Sequence, residues 1–448
     1  MKTERRGNSA PISLPYSYHG LLFNNPQGSL PEAALKGRRL DGACTEKLLL
    51  HCASAIENND VTLAQQVMWV LNNVASAVGD SNQRLISWFL RALIFRASRV
   101  FPTAAMNFHG TTALDQMIQT RSMSVTELAG YVDLIPWHRF GFCASNSAIL
   151  KAIQGYPRVH IIDFSITHCM QWPTLIDALA KRPEGPPSVG ITVPSCRPPV
   201  PPLLNVSSDQ VGFRLANFAK TRDVPFAFHV IDCSSSCSKS AGADTLSGDF
   251  SRSFHHLMSQ LNPCMLDLRD DEALVVNCQN WLRYLPADHL SLRNTFLEVI
   301  KGLNPCIMTV VDEDSDLDSS SLTSRITTSF NYLWIPFDAL ETFLPKDNAQ
   351  RMEYEADVGH KIENIIGFGG MQRIERSESG FKLSQRMKNA NFLRIPFDEE
   401  TVGEVKLLLD EHASGWGMKK EDDRLVLTWK GHNSVFATAW VPINFQSS

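Results

Sequence analysis

The run Val159-His160-Ile161-Ile162-Asp163 constrains this chain more than any other stretch. Apolar residues dominate it up to a terminal carboxylate, and Pro157 marks its start. A short apolar run followed by a polar loop and a helical pattern reads as strand, loop and helix at the heart of a parallel sheet, where strands are buried on both faces. The loop extends from Phe164 to Met170. Gln171-Trp172-Pro173-Thr174-Leu175-Ile176 then opens the helix, with Pro173 suited to its first turn. Two later runs end the same way: Phe226 to Ile231 leads into Asp232, and Ile307 to Val311 into Asp312. Ligands of open parallel sheets bind outside the carboxyl ends of the strands. Asp163, Asp232 and Asp312 are therefore expected either to line one crevice or to cap helices and face solvent at the sheet rim.

With 448 residues the chain has room for two or three domains, and its 44% hydrophobic content supports a full core. A net charge of −5 gives no global pull toward nucleic acid or acidic membranes, so any DNA contact needs a local basic patch. No apolar run approaches the roughly 18 residues of a membrane span. Met1-Lys2-Thr3-Glu4-Arg5-Arg6 lacks the apolar segment of a secretion signal. The closest cysteine pair, Cys233 and Cys237, has no matching second pair, so reduced thiols in an intracellular protein are expected rather than a zinc framework.

Residues 1–40, with Pro11, Pro15, Pro26 and Pro31, read as a flexible arm. Helical periodicity then gives one helix from Thr45 with Leu49, Cys52, Ala53 and Ile56 on a face, a second with Leu63, Val67, Val70, Leu71 and Val74, and a third with Leu85, Phe89 and Ala92. Such helices bury one face against each other and can leave another for a partner. Further helices fit 104–119 and 124–132. Strands at 159–163, 189–193, 226–231 and 307–311 alternate with helices, and a charged turn at 267–272 feeds another buried strand. The acidic run Asp312, Glu313, Asp314, Asp316 and Asp318 reads as a solvated loop. Helices fit 324–343 and 350–366, a strand 392–395 and a helix 399–410. Leu425, Leu427 and Trp429 then alternate opposite Phe436, Thr438 and Trp440 across Gly431-His432-Asn433, an antiparallel hairpin. The expected fold is α/β: a Rossmann-like, methyltransferase-like, mostly parallel sheet with an N-terminal helical cap and a C-terminal antiparallel hairpin.

A nucleotide or S-adenosylmethionine site on this fold wants glycines after the first strand, so that the backbone can approach the ligand. Ser165, Thr167 and Cys169 stand at those alternate positions, and the loop holds no glycine. The chain also lacks a Gly-x-Ser-x-Gly elbow, a phosphate-binding Gly-Lys-Ser/Thr loop and a His-Glu-x-x-His helix. No catalytic residue, cofactor or metal site is expected.

Val159 to Asp163 with Gln171-Trp172-Pro173 resembles the signature of the plant GRAS proteins, and the resemblance extends over residues 41–446 in the family's block order. Residues 45–103 resemble the first leucine-rich region, 124–192 the region of the signature, and 205–237 the second leucine-rich region. Residues 246–370 resemble the Pro-Phe-Tyr-Arg-Glu region, with Arg351 inside it. Residues 373–446 resemble the C-terminal Ser-Ala-Trp region, with Arg373, Glu375, Trp416, Gly417, Trp429 and Trp440 at motif positions. Thr438-Ala439-Trp440 replaces Ser-Ala-Trp itself, Gly369-Gly370 stands where Glu-Gly is common, and Val189-Gly190 replaces a usual Leu-Arg.

This resemblance, to the scarecrow-like members in particular, implies a nuclear regulator of transcription in plant development or signalling. It would act on DNA directly, through partner transcription factors, or both, with a homo- or heterodimer through helices 45–99. The alternatives are a scaffold that does not touch DNA and an S-adenosylmethionine-dependent or small-molecule-binding enzyme using the crevice at Asp163. Physically, Val159, Ile161 and Ile162 fill the sheet core, and His160 is a satisfied core histidine. The tryptophans Trp172, Trp429 and Trp440 are apolar anchors that can also serve an interface.

Overall fold

Alternation of apolar strands with amphipathic helices decides the architecture. The computed structural model describes residues 42–102, 122–195, 197–198, 200, 203–233, 246–285, 292–345, 347–412 and 414–443. The expected arm and the helix expected at 104–119 lie outside the described residues.

Three helices come first: α1 (Gly42–Glu57), α2 (Val61–Val74) and α3 (Ser81–Val100). Asp60 caps α2 by accepting from the Leu63 amide, and Asp80 with Gln83 forms a reciprocal capping box on α3. Then follow β1 (Ser122–Met123), α4 (Val125–Leu134) and α5 (Trp137–Ala152). The βα half comprises β2 (Arg158–Ser165), α6 (Trp172–Ala180), β3 (Ser188–Pro194), β4 (Leu203–Leu204), α7 (Ser208–Lys220) and β5 (Phe226–Ile231). It continues with α8 (Leu246–Gln260), β6 (Glu272–Gln279), α9 (Leu292–Leu303) and β7 (Ile307–Glu313). The last part holds α10 (Leu322–Phe343), α11 (Ala349–Ile362), α12 (Gly380–Asn389), β8 (Phe392–Ile395), α13 (Glu399–Asp410), β9 (Trp416–Glu421), β10 (Arg424–Trp429) and β11 (His432–Pro442).

The central sheet has nine strands in the order β5-β3-β2-β6-β7-β11-β10-β9, with β8 also paired to β11. From β5 to β7 all pairings are parallel; from β11 onward they are antiparallel. The chain runs outward from β2 to β3 and β5, then returns to β6 on the other side of β2. The order therefore reverses between β2 and β6, the place where an open α/β sheet forms a crevice. Strand alternation sends Val159 and Ile161 into one core with Ile191, Val275 and Val311, and Ile162 and Phe164 into another with Val276 and Met308. Helices α1–α3, α5–α7, α10, α11 and α13 supply the first core; α8, α9 and α12 supply the second.

The expected architecture is present, with three helices that periodicity did not announce. Helix α5 is buried nearly all round, so it carries no polar stripe to mark its period. Helices α8 and α12 are rich in polar residues and short of apolar anchors. The expected hairpin is β10 and β11, extended by β9 into a meander and by β8 along the far half of β11.

The helical cap is fastened to the rest by a buried ion pair. Arg84 on α3 donates from Nε and Nη2 to both oxygens of Glu355 on α11, each at 2.8 Å, while its Nη1 reaches the Gly79 carbonyl at 2.6 Å. Removing one partner of a buried pair strands the other charge in a poorly solvating interior. Glu355→Ala should therefore destabilise the fold by about 3–5 kcal/mol in urea unfolding. A loss near zero would mean that Arg84 finds water or another partner.

Candidate functional site

The crevice at the strand-order reversal is the first place to look for chemistry. Strand β2 runs two residues past Asp163 to Ser165, so this carboxylate lies within the strand and is buried. Register aligns Asp163 with Asn277 on β6, and Asn277 with Thr309 on β7, giving a polar rung across three otherwise apolar strands. Asp163 Oδ1 accepts from Asn277 Nδ2 at 2.9 Å; Oδ2 accepts from Trp172 Nε1 at 2.9 Å and Ser165 Oγ at 3.1 Å. Asn277 Nδ2 also donates to Gln171 Oε1 at 3.1 Å, and Thr309 Oγ1 donates to Asn277 Oδ1 at 2.8 Å. Gln171 Nε2 donates to Asn146 Oδ1 at 2.9 Å, which joins helix α5 to the rung.

Burial raises the Asp163 pKa above the ordinary carboxylate value, opposed by the bonds from Asn277 and Trp172 and by the charge of Arg197. Burial likewise pushes the neighbouring Cys169 thiol well up. A thiol held protonated is a poor nucleophile.

The loop after β2 turns inward instead of leaving a cradle. His168 and Cys169 take left-handed backbone angles, φ 51° and 64°, without being glycine. Helix α5 closes the space from above: Gln279 Nε2 donates to the His138 carbonyl at 3.2 Å, and a Cβ on Gly141 would lie 2.6 Å from that same Nε2. Among the described residues, side chains and helix α5 pack closely around Asp163.

Of the two arrangements open to the three carboxylates, a shared crevice is not formed, and only Asp232 is exposed at the rim, Asp163 and Asp312 being buried. Asp232 follows β5, two strands from β2 on one side, and lies 3.5 Å from Ser195 Oγ. Asp312 is on β7, two strands away on the other side, and is buried against Arg283. Parallel strands sit nearly 5 Å apart, so two intervening steps separate the groups beyond any shared contact.

The acidic run that reads as a solvated loop is instead a charge hub. Arg283 stands between Asp312 and Glu313, with Nη1 at 2.6 Å from Glu313 Oε1, and Lys361 closes on Glu313 from α11. Lys361 is 3.8 Å from Glu375, which also accepts from the Tyr284 hydroxyl at 3.2 Å. Asp314 accepts from the Gly380 amide at 2.8 Å and Asn433 Nδ2 at 2.7 Å. Asp318 pairs with Arg376 at 3.1 Å. Burial alone would raise the Glu313 pKa, but Arg283 and Lys361 bring it down to about 2. Nothing local in the run names these partners, because each lies on another element.

The remaining motif residues have structural contacts. His160 is buried, its Nε2 is 2.8 Å from Thr192 Oγ1, and burial drives its pKa down to about 4, so the ring is neutral. It forms part of a cavity of about 520 Å³ with His229 and Glu272, on the opposite face of β2 from Asp163. Pro173 sits in the first turn of α6. Arg351 lies 3.7 Å from Glu355, and Arg373 donates to the Leu317 carbonyl at 2.6 Å. Trp416 packs on Trp429 at 4.7 Å between ring centroids, and Trp429 Nε1 donates to Asp338 at 2.7 Å. Gly417 lies against Thr428, where a Cβ would come 3.3 Å from Oγ1. Trp440 is fully buried beneath Arg394. Trp172, Trp429 and Trp440 are thus core rather than docking surface. Sequence reasoning gave no role to Asn146, Arg283 or Thr309; a polar residue inside an apolar strand run was the available signal for Thr309.

Among the described residues, no group of three or more His, Cys, Asp or Glu is placed to hold a metal, and no helix is long and apolar enough to cross a membrane. Residues 45–441 match the GRAS domain family. The chain belongs to the GRAS family. It is 46% identical over 411 residues to Scarecrow-like protein 32 of Arabidopsis thaliana, covering 90% of this chain and 95% of that protein. It is 31% identical over 433 residues to Protein SHORT-ROOT 1 of Oryza sativa subsp. japonica, covering 88% and 68%. Scarecrow-like transcription factor PAT1 of Arabidopsis thaliana is 29% identical over 405 residues, covering 88% and 75%. In fold, this GRAS chain matches the crystal structure of SCL7 in Oryza sativa with a TM-score of 0.70 at 24% identity, over 88% of this chain and 99% of that one.

Two outcomes are expected at this site. Calorimetry with S-adenosylmethionine at millimolar concentration should register no binding heat, and a saturable signal would reopen the crevice. Because the Glu313 pKa is depressed, its stabilisation is complete above the unfolded value of 4.5 and is lost as pH falls toward about 2. That contribution is about 3 kcal/mol. Urea unfolding of Glu313→Gln should show a flatter decline of stability between pH 5 and about pH 2 than the parent. Parallel profiles would remove Glu313 as the source.

Proposed function

We propose that this protein is a nuclear regulator of DNA-templated transcription in plant development or signalling, working by sequence-specific DNA binding, by binding partner transcription factors, or both. The observation that carries the reading is the bonded network at the strand-order reversal. A chain of this family with a methyltransferase-like sheet has Asp163, Asn277, Gln171 and Trp172 bonded to one another where a cofactor would approach. A scaffold so closed acts through its surface, not through turnover.

The partner-binding arm is supported by the helical cap. The leucine-rich faces of α1–α3 are spent on packing, with Leu49, Cys52, Leu71, Leu85 and Phe89 all fully buried. Helix α2 carries no Asp, Glu, Lys or Arg, and exposes Leu63 and Trp69 at 41% each on either side of Gln66. Tryptophan on an uncharged exposed helix face is the composition of an interface centre. The outer side of α2 is the face within helices 45–99 that supports this reading.

Selection of bound duplexes from a random DNA pool by the full chain separates the two arms. An enriched sequence whose affinity falls steeply with salt would make this a direct reader of DNA. No enrichment from folded protein at physiological salt would move the activity to partners met at α2.

A further inference from the structure

Away from the crevice, arginines gather where the last turn of α3 meets the start of α10 and the segment 368–376. Arg96 and Arg99 come from α3, Arg325 from α10, and Arg373 and Arg376 from the segment. The carboxylates that act on them are Glu57, felt by Arg96 and Arg325, and Asp318, 3.1 Å from Arg376 and 4.0 Å from Arg373. Asp318 is further shared with Arg293 at 3.6 Å. Arg96, Arg325, Arg373 and Arg376 thus share two carboxylates, one of them with Arg293 as well.

Several of these donors are occupied, but by neutral oxygens. Arg325 donates to the carbonyls of Ile365, Ser319 and Ser320 at 2.9, 3.0 and 2.7 Å. Arg373 donates to Leu317, and Arg376 to Arg373 and Gly370. Carbonyls satisfy hydrogen-bond geometry without cancelling charge. The excess shows as mutual repulsion: burial first, then neighbouring arginines, bring Arg325 down to about 10 and Arg373 to about 9.

Arg96 is different. Its Nε is buried without a hydrogen-bond partner, and so is Nε of Arg373, a residue 4% exposed. Gly369 lies against the Arg96 guanidinium so closely that a Cβ would come 2.8 Å from Nη1. Glycine there leaves the fork uncovered. Arg99, Gly370 and Gln372 beside it are exposed, so the cluster opens to solvent.

We propose that this cluster is a binding site for a phosphate-class polyanion, with Arg96 as its open donor, Arg99 at its rim, where its Nη2 donates to Gln372 Oε1 and its guanidinium lies over the Phe95 and Phe368 rings, and Arg325, Arg373 and Arg376 as the fixed charge behind them. Guanidinium forks match the tetrahedral oxygens of phosphate in paired hydrogen bonds. A multivalent anion cancels an excess of several charges that a single carboxylate leaves standing. The site is separate from the Asp163 network and does not depend on the duplex-reading proposal.

The test is calorimetry and thermal unfolding of the full chain with sodium pyrophosphate, against sodium chloride at matched ionic strength. Pyrophosphate should bind and raise the melting temperature where chloride does not. Arg96→Gln should weaken pyrophosphate binding by about tenfold or more. It should unfold no more easily than the parent without the anion, because it relieves repulsion. Arg99→Gln, at an exposed position, should weaken binding in the same direction, with its melting temperature in sodium chloride alone read beside the parent's because it also loses the contacts to Gln372, Phe95 and Phe368. Duplex capture by Arg96→Gln then identifies the source. A matching loss of duplex affinity with a shallower salt slope assigns the site to nucleic-acid backbone phosphates, and unchanged capture assigns it to a free polyphosphate. A response to pyrophosphate no greater than to chloride, or full binding by both variants, overturns the proposal.

Discussion

A carboxylate buried at the centre of a sheet must be compensated, and much of this structure follows from compensating Asp163. An unpaired charge in such a place costs several kcal/mol even after relaxation. The remedy draws on the indole of Trp172 at the start of α6, the amide of Asn277 on β6, and the hydroxyl of Ser165 at the end of β2 itself. Each partner is then held in turn, Asn277 by Thr309 and Gln171, and Gln171 by Asn146 on α5. The bonds that make the carboxylate tolerable also fix helix positions around it. The same bonds tie up the polar groups at the strand-order reversal, the place where open α/β sheets take their ligands.

A second region is governed by charge rather than by a rung of amides. Arg283 sits between Asp312 and Glu313, while Lys361 and Tyr284 join Glu375 to the same group. This hub ties β7 to α11 and to the segment after it. With Arg84 and Glu355 it leaves the cap no freedom to drift from the sheet. A protein fastened this way presents its surface as a fixed relief, which suits recognition of partners better than it suits a moving lid.

The fold was readable because strands that are buried on both faces announce themselves. Val159 to Asp163 and Ile307 to Val311 stand out as such apolar runs, while Phe226 to Ile231, equally apolar in sequence, forms the half-exposed edge strand β5; all three take part in the parallel half of the sheet. Helix α5 escaped for the converse reason: a helix covered on nearly all sides has no polar face to reveal a period. The site was readable only in outline. Asp163 could be singled out, and the missing glycines correctly warned that the loop would hold side chains. Its partners could not be named, since Asn277 lies 114 residues away and register alone brings the two together. The acidic run was misjudged on the same principle. Charge in a short segment looks solvated until distant Arg283 and Lys361 arrive to bury it.

The position of β11 has a consequence for how the chain is made. This strand lies between β7 and β10, joining the parallel half of the sheet to the antiparallel half, yet it comes last among the described strands. During synthesis from the N-terminus, β5, β3, β2, β6 and β7 can assemble long before β11 leaves the ribosome. Until then β7 presents an open edge of unpaired amides and carbonyls, the kind of surface that recruits other chains. The newborn protein therefore passes through a long interval as an incomplete sheet. A ribosome that stops before residue 432 releases a product whose exposed edge favours aggregation over folding.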